Sequence, residues 1–485
     1  MSISSDVDRL IEERRDEFLN TLFRLLRQPS ISAQGIGVTE CAELTRTILE
    51  EHGIIGRVMP TAGLPVVYGE RYAGEDANTI LIYGHYDVQP PEPYEAWISP
   101  PFEPTIRDGR FYARGSADNK GQFLAHILAI KVLADLGRLP RLNIKLLLEG
   151  EEESSSPNLP GFVERHRDLL QADLMFAADG PSHLSNRPIV FFGMRGNLKM
   201  ELLATGANRD LHSGNYGGPA PNPIWKLIDL FGTMRFPDGR ATIEGFYERV
   251  VPPTAFERDV MGRMPFDAAA FKHDLGIAEF AGPMDLTYYE KIMFQPTLNV
   301  TGIAGGYAGK GAKSAIPSRA VAKLETRLVC DMDPDEAFAQ IERHVRRYAP
   351  DVIIRKLAGT RPSKTSLDLP VSRMMIGAIA DAYGMEPVIQ PVLGGASPNY
   401  LFTNVLKMPA IWATYGPPDQ NNHSPNENMT LRSFFDGIRA SVLVLQRFAA
   451  MPRSDLVHLD SPPRRGANAD PSHPSCNQNP PAPPF

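Results

Sequence analysis

Apolar residues recur at helical spacing in two segments near the N-terminus, 6–27 and 38–52, and they predict two amphipathic helices. After these segments, short apolar runs alternate with a longer helical pattern. The runs predict three buried strands and one helix, at Thr79–Tyr83, Asn143–Leu148, Leu174–Ala178 and Asn119–Leu136 respectively. Such alternation favours an α/β fold, with a parallel sheet that is covered by helices on its faces.

The pattern changes near Gly193. Leu198–Ala204 and Ala320–Val329 alternate apolar and polar residues as half-exposed strands do, and Ile224–Met234 has helical periodicity. The pattern of the first part then returns in one strand and two helices, at Ala410–Tyr415, Val371–Tyr383 and Leu431–Phe448. We therefore predict one domain built from residues 1–194 and 366–450, with a smaller α+β domain inserted at 195–365.

Residues 451–485 are rich in proline and have no apolar periodicity, so they are predicted to be disordered. The remainder has the composition of a globular protein, with 485 residues in all, 42% of them hydrophobic and 22% charged, which is enough for two cores. The net charge of −7 gives no basic surface for nucleic acid.

Neither a signal peptide nor an apolar stretch of membrane-spanning length is evident in the sequence. The three cysteines, Cys41, Cys330 and Cys476, have neither the spacing of a zinc site nor that of a disulfide framework. These features favour a cytoplasmic protein that does not bind membranes.

His85 and Asp87 follow the apolar run Thr79–Tyr83. In open α/β sheets, ligands and metals are held where strands reach their carboxyl ends. A His-x-Asp sequence by itself is more often a structural histidine beside a solvated aspartate. Other polar groups at equivalent places decide between these explanations.

Such groups follow or precede several other predicted elements: Asp118, Glu149–Glu153, Asp179 and His423. Each has an ordinary explanation as a helix cap, an acidic turn, the start of a turn or a surface histidine. Together they form a mixed nitrogen and oxygen ligand set that suits zinc, manganese or cobalt. A shared carboxylate would hold two ions about 3.5–4 Å apart. Glu152 and Glu153 could then divide proton transfer and metal binding between them.

The order of these motifs resembles the dinuclear zinc aminopeptidase-like family, which includes carnosinase-type dipeptidases, carboxypeptidase G, aminoacylase and succinyl-diaminopimelate desuccinylase. The similarity extends over residues 10–450 and is greatest to the carnosinase-type dipeptidases. It rests on six motifs: Tyr83–Pro90, Gly115–Gly121, Glu151–Glu153, Asp179, Asp210–Gly214 and His423–Ser424.

The resemblance implies a mixed sheet flanked by helices, with the inserted domain acting as a lid and dimerisation domain. It also implies two divalent ions, with zinc expected and manganese or cobalt as alternatives. His85 and Asp179 would hold one ion, and Glu153 and His423 the other. Asp118 would bind both ions and would be followed by a cis peptide bond.

The same resemblance assigns roles in catalysis. Glu152 would deprotonate a metal-bridging water and then protonate the leaving amine, and Asp87 would orient His85. His212 would reach the partner subunit's active site and stabilise the oxyanion. The substrate would contact four further residues, of which the first would bind its carboxylate: Arg327, Ser314, Gly394 and Gly395.

Two departures from the family pattern affect the substrate pocket. The usual Gly-Gly-Ser-Ile-Pro sequence is replaced by Gly394–Pro398 (Gly-Gly-Ala-Ser-Pro), and Ser155 stands where a glycine is common.

We expect a homodimeric hydrolase that cleaves the amide bond of dipeptides or short peptides with a free C-terminal carboxylate. An N-acyl amino acid deacylase is the alternative, and a non-catalytic binding protein on the same fold is a more distant one.

Overall fold

The computed structural model describes residues 3–456 of the chain. The tail predicted to be disordered lies outside the described residues from position 457 onward, and Arg453–Asp455 form a short 3₁₀ helix. Among residues 3–456, no helix combines the length and apolarity that a membrane crossing requires.

The helices are given in chain order: α1 Ile3–Glu13, α2 Arg15–Arg27, α3 Val38–Glu51, α4 Lys120–Asp135, α5 Leu159–Arg165, α6 Arg167–Leu170, α7 Ser213–Tyr216, α8 Pro223–Met234, α9 Ala255–Gly262, α10 Ala268–Asp274, α11 Tyr288–Phe294, α12 Pro334–Tyr348, α13 Pro370–Tyr383 and α14 Leu431–Ala449.

The strands follow in the same order: β1 Ile55–Met59, β2 Val66–Arg71, β3 Asn78–His85, β4 Thr105–Arg107, β5 Arg110–Tyr112, β6 Leu142–Glu149, β7 Leu174–Ala178, β8 Ile189–Phe191, β9 Gly193–Met194, β10 Gly196–Thr205, β11 Leu211–His212, β12 Thr297–Gly305, β13 Ala315–Ile316, β14 Arg319–Leu328, β15 Ile353–Thr360, β16 Ser363–Lys364, β17 Val388–Gln390, β18 Ala410–Ala413 and β19 Asn428–Thr430.

An eight-stranded mixed sheet, in the order β1-β2-β6-β3-β7-β18-β8-β17, forms the centre of the larger domain. Strands β6, β3, β7 and β18 are mutually parallel, so their carboxyl ends meet at one edge. Strand β2 runs antiparallel to β1 and β6, and β8 runs antiparallel to β18. The predicted α/β class and mixed sheet are confirmed: the central strands are parallel, as the alternation predicts, and the antiparallel neighbours β2 and β8 make the sheet mixed. Periodicity reports burial and does not encode strand direction.

Two apolar clusters pack on opposite faces of this sheet, because successive side chains of a strand point to opposite sides. One contains Ile80 and Ile82 of β3 together with residues of α2, α4 and α14. The other contains Leu81 and Tyr83 of β3 together with residues of α5 and Trp412. Strand β3 is therefore buried on both faces, as its continuous apolar run predicts.

The helix predicted over 6–27 is two helices, because the backbone departs from helical geometry at Arg14, with φ −105° and ψ 14°. Val7 and Ile11 of α1 and Phe18 and Leu22 of α2 all belong to the same apolar cluster. The apolar stripe thus continues across the break, which is why the sequence does not reveal it.

A four-stranded antiparallel sheet, β12-β14-β10-β15, forms a separate unit with α8 and α12 packed on it, and we call this unit the lid domain. Its core alternates along β10 and β14, as the sequence predicts. The intervening segment behaves differently. Val260 and Met261 of α9, and Met293 and Phe294 of α11, join the cores of the larger domain instead. The boundaries at 195 and 365 stay predictions.

Two chain segments that connect the domains run side by side. Strand β9 pairs with β16, and β10 begins immediately afterwards beside Thr360. A Cβ atom at Gly196 would lie 2.4 Å from the main-chain oxygen of Thr360, and one at Gly193 would lie 2.4 Å from that of Ser363. Both glycines are therefore required by the close approach of backbones at this junction.

We expect Gly196→Ala to lower the free energy of unfolding by about 1–3 kcal/mol, because the added methyl group meets fixed backbone. Gly232→Ala is the matched control, since Gly232 lies inside α8 and the new Cβ would meet no atom within 4 Å apart from its chain neighbours and its own helix backbone. It should raise stability by about 0.5–1 kcal/mol through helix propensity. Denaturant unfolding measures both. If both variants changed the free energy of unfolding by the same small amount, the close approach of the backbone to Gly196 would be contradicted.

Candidate metal centre

His85 is the last residue of β3 and is 1% exposed. Its Nδ1 lies 3.1 Å from the main-chain oxygen of Asp87 and 3.4 Å from the Asp87 carboxylate. These contacts direct Nε2 toward the sheet edge, where it lies 3.2 Å from Asp118 Oδ1 and 3.7 Å from Asp179 Oδ2. Within residues 3–456, this buried Nε2 has no hydrogen-bond partner of good geometry.

Asp118 lies between β5 and α4, and the Asp118–Asn119 peptide bond is cis, as the resemblance implies. Its two carboxylate oxygens face different imidazoles. Oδ1 is 3.2 Å from His85 Nε2, and Oδ2 is 3.0 Å from His423 Nε2. One carboxylate is thus placed between two ligand groups.

Glu153 belongs to the 3₁₀ turn Glu152–Ser154, directly beyond the end of β6. Its Oε2 lies 3.2 Å from His423 Nε2 and accepts a hydrogen bond of 2.9 Å from the Gln89 side chain. The turn ends at Ser155, whose φ of +71° is left-handed, which explains why glycine is common at this position. His423 also has a positive φ, +57°, and its side chain is 52% exposed.

Two sets of groups able to hold a metal ion result from this geometry, and they share Asp118. His85, Asp118 and Asp179 form one set, and Asp118, Glu153 and His423 form the other. Within each set, the candidate ligand atoms lie within 4.8 Å of one another. The sequence predicts the same two sets, and the structure brings all five side chains together at the carboxyl edge of the sheet.

The carboxylates of the cluster favour positive charge at its centre. Contacts with the carboxylates of Asp118 and Glu153 raise the pKa of His423 to about 10. Burial opposes the ionisation of Asp118, but contacts with His423 and His85 outweigh it and hold its pKa below the ordinary value. A buried imidazole nitrogen without a good hydrogen bond, surrounded by carboxylates, fits divalent ions well.

Glu152 lies beside the two sets without belonging to either. Its Oε2 is 4.0 Å from His85 Nε2. Burial raises the pKa of Glu152 well above its ordinary value; His85 opposes this effect and the charge of Asp179 adds to it. Both oxygens of Asp87 accept main-chain hydrogen bonds, from Glu152 at 3.2 Å and from Glu153 at 3.1 Å. Asp87 therefore connects the turn that carries the two glutamates to His85.

The predicted substrate residue Arg327 lies on β14, where it pairs with Glu325 at 3.0 Å. Arg195, which the sequence marks only as part of a domain junction, lies near it. Arg195 Nε donates a hydrogen bond of 3.0 Å to the main-chain oxygen of Gly394, beside Gly395. Burial and the charge of Arg327 lower the pKa of Arg195 to about 10. Two guanidinium groups that are close enough to interact form a candidate anion site.

His212 and Ser314 lie on the lid domain, where β11 pairs with β13. His212 is exposed, and its Nδ1 accepts a hydrogen bond of 3.0 Å from the Gly214 amide. The Ser314 main-chain oxygen accepts one of 3.0 Å from the Ser213 amide. Among residues 3–456, neither His212 nor the Ser314 side chain forms a hydrogen bond with the metal-centre residues.

Several residues around the centre are absent from the sequence prediction. Asn119 donates to the main-chain oxygen of Ala178 at 2.7 Å and accepts from the His85 amide at 3.4 Å, so it connects β3 and β7 behind the ligands. Gln89, Arg195, Arg114 and Glu427 were missed as well. Gln89 and Asn119 lie within the motifs quoted above, whereas no local pattern distinguishes Glu427 from a surface glutamate.

Comparisons with known proteins agree with this geometry. Residues 81–447 match the peptidase family M20/M25/M40. The chain is 26% identical to the Cys-Gly metallodipeptidase dug1 of Schizosaccharomyces pombe, over 91% of this chain and 98% of that protein. It is 27% identical to the human Beta-Ala-His dipeptidase, over 77% of this chain and 76% of that protein.

A solved structure extends the similarity to three dimensions. The M20 family metallo-carboxypeptidase Sso-CP2 from Sulfolobus solfataricus superposes with a TM-score of 0.82 and 35% identity, covering 90% of this chain and all of that one. The family resemblance and the prediction of an enzyme are both confirmed. The chain belongs to the peptidase family M20/M25/M40 and acts as a peptidase.

Proposed function

We propose that this enzyme hydrolyses the amide bond of dipeptides or short peptides that carry a free C-terminal carboxylate, with the help of two divalent metal ions. The position of Asp118 is the observation that carries the proposal. Its two oxygens face His85 and His423, and each imidazole lies beside a further carboxylate, Asp179 or Glu153. The dipeptidase names of the two relatives support the substrate class.

His85, Asp118 and Asp179 would hold one ion, and Asp118, Glu153 and His423 the other. Two imidazoles with three carboxylates suit zinc, and manganese or cobalt are alternatives with the same ligands. When bound, the ions supply Lewis-acid polarisation of the scissile carbonyl and of water. Asp87 keeps His85 oriented through the contacts at Nδ1, so that Nε2 remains available to the ion.

Glu152 would be the general base and then the general acid. Its raised pKa favours proton uptake, and its position next to the ligand Glu153 keeps it at the centre without occupying a ligand place. The carboxylate takes a proton from the attacking water and later gives it to the leaving amine. Because water is the nucleophile, no covalent intermediate with the protein forms.

Arg327 and Arg195 would bind the substrate carboxylate. Planar guanidinium groups match a carboxylate with two parallel hydrogen bonds. A bound carboxylate would also offset the repulsion that lowers the pKa of Arg195. The main chain at Gly394 and Gly395 would line the same place, since Arg195 already contacts Gly394. Ser314 would supply a hydroxyl from the lid domain.

An N-acyl amino acid also has an amide bond and a free carboxylate, so deacylation is the second candidate reaction. The replacement of the usual Gly-Gly-Ser-Ile-Pro sequence by Gly394–Pro398 is the feature that keeps it open. A non-catalytic binding protein would not require the complete set of five ligands together with Glu152. We therefore place hydrolysis of dipeptides first.

The enzyme would act as a homodimer formed through the lid domain. β12 is an edge strand of the lid sheet, and its Val300 and Ile303 are about half exposed, as are Trp225 and Ile228 of α8. An apolar surface beside an unpaired strand edge favours association with a second copy. His212 lies exposed on the same domain, and we propose that it enters the partner subunit's site to stabilise the oxyanion.

Removal of single ligands should change the metal content in steps. Wild-type protein should retain about two zinc ions per chain after dialysis, Asp179→Ala about one, and Asp118→Ala less than one, because Asp118 serves both ions. Glu151→Gln is the control, since Glu151 binds the Leu64 amide and Asn158 outside the two sets. Mass spectrometry of the dialysed proteins measures this. Equal losses in Asp179→Ala and Asp118→Ala would refute a shared ligand.

Glu152→Gln should retain both ions while kcat for dipeptides falls by about 10²–10⁴-fold, because the isosteric amide cannot accept the proton. The assay should compare a dipeptide with an N-acyl amino acid that has the same C-terminal residue. Faster wild-type turnover of the dipeptide supports the first candidate, and the reverse supports deacylation. Full activity in Glu152→Gln would remove Glu152 from the mechanism.

His212→Ala should lower kcat by about 10²-fold and leave the dimer intact by light scattering. Mixing it with Glu152→Gln tests which subunit uses the histidine. If His212 acts across the dimer, random subunit exchange should restore about one quarter of wild-type activity, because half of the dimers are hybrid and each has one complete site. If the mixture stays as inactive as its components, His212 does not act on the partner subunit.

A further inference from the structure

Behind Asp118, away from the ligand side, the carboxylate of Glu427 is completely buried and accepts four hydrogen bonds. One comes from Arg114 Nη1 at 2.8 Å. The others come from main-chain amides: Gly115 at 3.0 Å, Ala117 at 2.9 Å and Asp118 itself at 3.0 Å. The loop that presents the shared ligand is thus held along its length by one side chain.

Glu427 also belongs to the segment that carries the other ligand of the second set. It lies four residues after His423, and its main-chain oxygen accepts a hydrogen bond of 3.1 Å from the Ala113 amide. Both its side chain and its backbone therefore fasten the His423 segment to the Asp118 loop. The 3.0 Å approach of His423 Nε2 to Asp118 Oδ2 depends on how these two segments are aligned.

Arg114 extends the connection to a third segment. Its side chain is 1% exposed, and Nη2 donates to the main-chain oxygen of Pro90 at 3.2 Å. Pro90 follows Gln89, whose side chain donates to Glu153 Oε2. The Arg114–Glu427 pair therefore lies where the segments that hold Asp118, Glu153 and His423 meet.

A buried ion pair of this kind adds little net stability, because the desolvation of two charges offsets most of their attraction. Its hydrogen bonds nevertheless fix direction and distance, as outer residues around metal ligands do. We propose that Glu427, held by Arg114, is a positioning residue that sets the spacing between Asp118 and His423. It thereby determines the affinity for the ion bound by Asp118, Glu153 and His423. The inference rests on the two-ion centre proposed above.

Zinc binding to the metal-free protein, measured by competition with a chelator, tests this role. In Glu427→Gln, one of the two binding steps should weaken by about 10–100-fold and the other by less than about threefold. The control is Glu257→Gln, which breaks a partly buried ion pair outside the two ligand sets, Glu257 with Lys364 at 2.7 Å. It should lower the melting temperature and leave both binding steps unchanged.

Glu427→Gln leaves the Arg114 charge buried without its partner, so the folded state can be lost. The double variant Arg114→Met/Glu427→Gln removes that charge, while the amide oxygen can still accept from Ala117 and Asp118. It should regain much of the melting temperature but keep the weakened binding step. If zinc affinity recovers together with stability, or Glu257→Gln weakens zinc binding as much, the pair acts through stability alone and the inference fails.

The same measurement separates this inference from the proposed function. Wild-type protein that binds no zinc would contradict the two-ion centre itself. Wild-type protein that binds two ions, with both steps unchanged in a folded Glu427→Gln variant, would contradict only the positioning role.

Discussion

The placement of one carboxylate between two imidazoles is the constraint on which the rest of the site depends. Asp118 faces His85 with one oxygen and His423 with the other, at 3.2 and 3.0 Å. The two histidines come from distant parts of the chain, one from the end of β3 and one from the loop before β19. Everything that aligns those elements therefore acts on the spacing of the two candidate metal positions.

The fold meets this constraint at two levels. Parallel strands β3, β6 and β7 bring His85, the glutamate turn and Asp179 to one edge of the sheet. Side chains then fix the loops at that edge, with Asp87 holding the glutamate turn and Glu427 holding the loop of Asp118. The carboxylates are thereby concentrated where their repulsion is costly unless cations are present.

Much of this site is legible in the sequence, because three of its five ligands, His85, Glu153 and Asp179, lie at or after the ends of buried apolar runs. The runs that become β3, β6 and β7 predict strands, and the polar residues after them mark the edge. The fold class and the family follow from the same motifs. The sequence analysis predicts no strand at β2 or β8, and periodicity does not encode the antiparallel direction in which they run. The break at Arg14 was missed because the apolar stripe continues across it.

Residues that act through long-range contacts could not be found in this way. Glu427 and Arg114 are separated by 313 positions and meet only in the folded chain. Arg195 looks like a junction residue in the sequence, but in the folded chain it donates to Gly394 and is close enough to Arg327 to interact with its charge. The sequence of the Gly394–Pro398 segment differs from the usual pattern, and it concerns the substrate rather than the metals. The order of the motifs therefore predicts the metal-binding residues more completely than the residues of the substrate pocket.

Zinc titration of the metal-free enzyme, with uptake and dipeptide hydrolysis followed in the same samples, tests the two-ion account most directly. The account predicts no hydrolysis without metal, uptake that saturates near two ions per chain, and loss of activity when a chelator is added. Hydrolysis that persists in metal-free protein would contradict it, and so would a protein that binds neither zinc, manganese nor cobalt and hydrolyses no dipeptide.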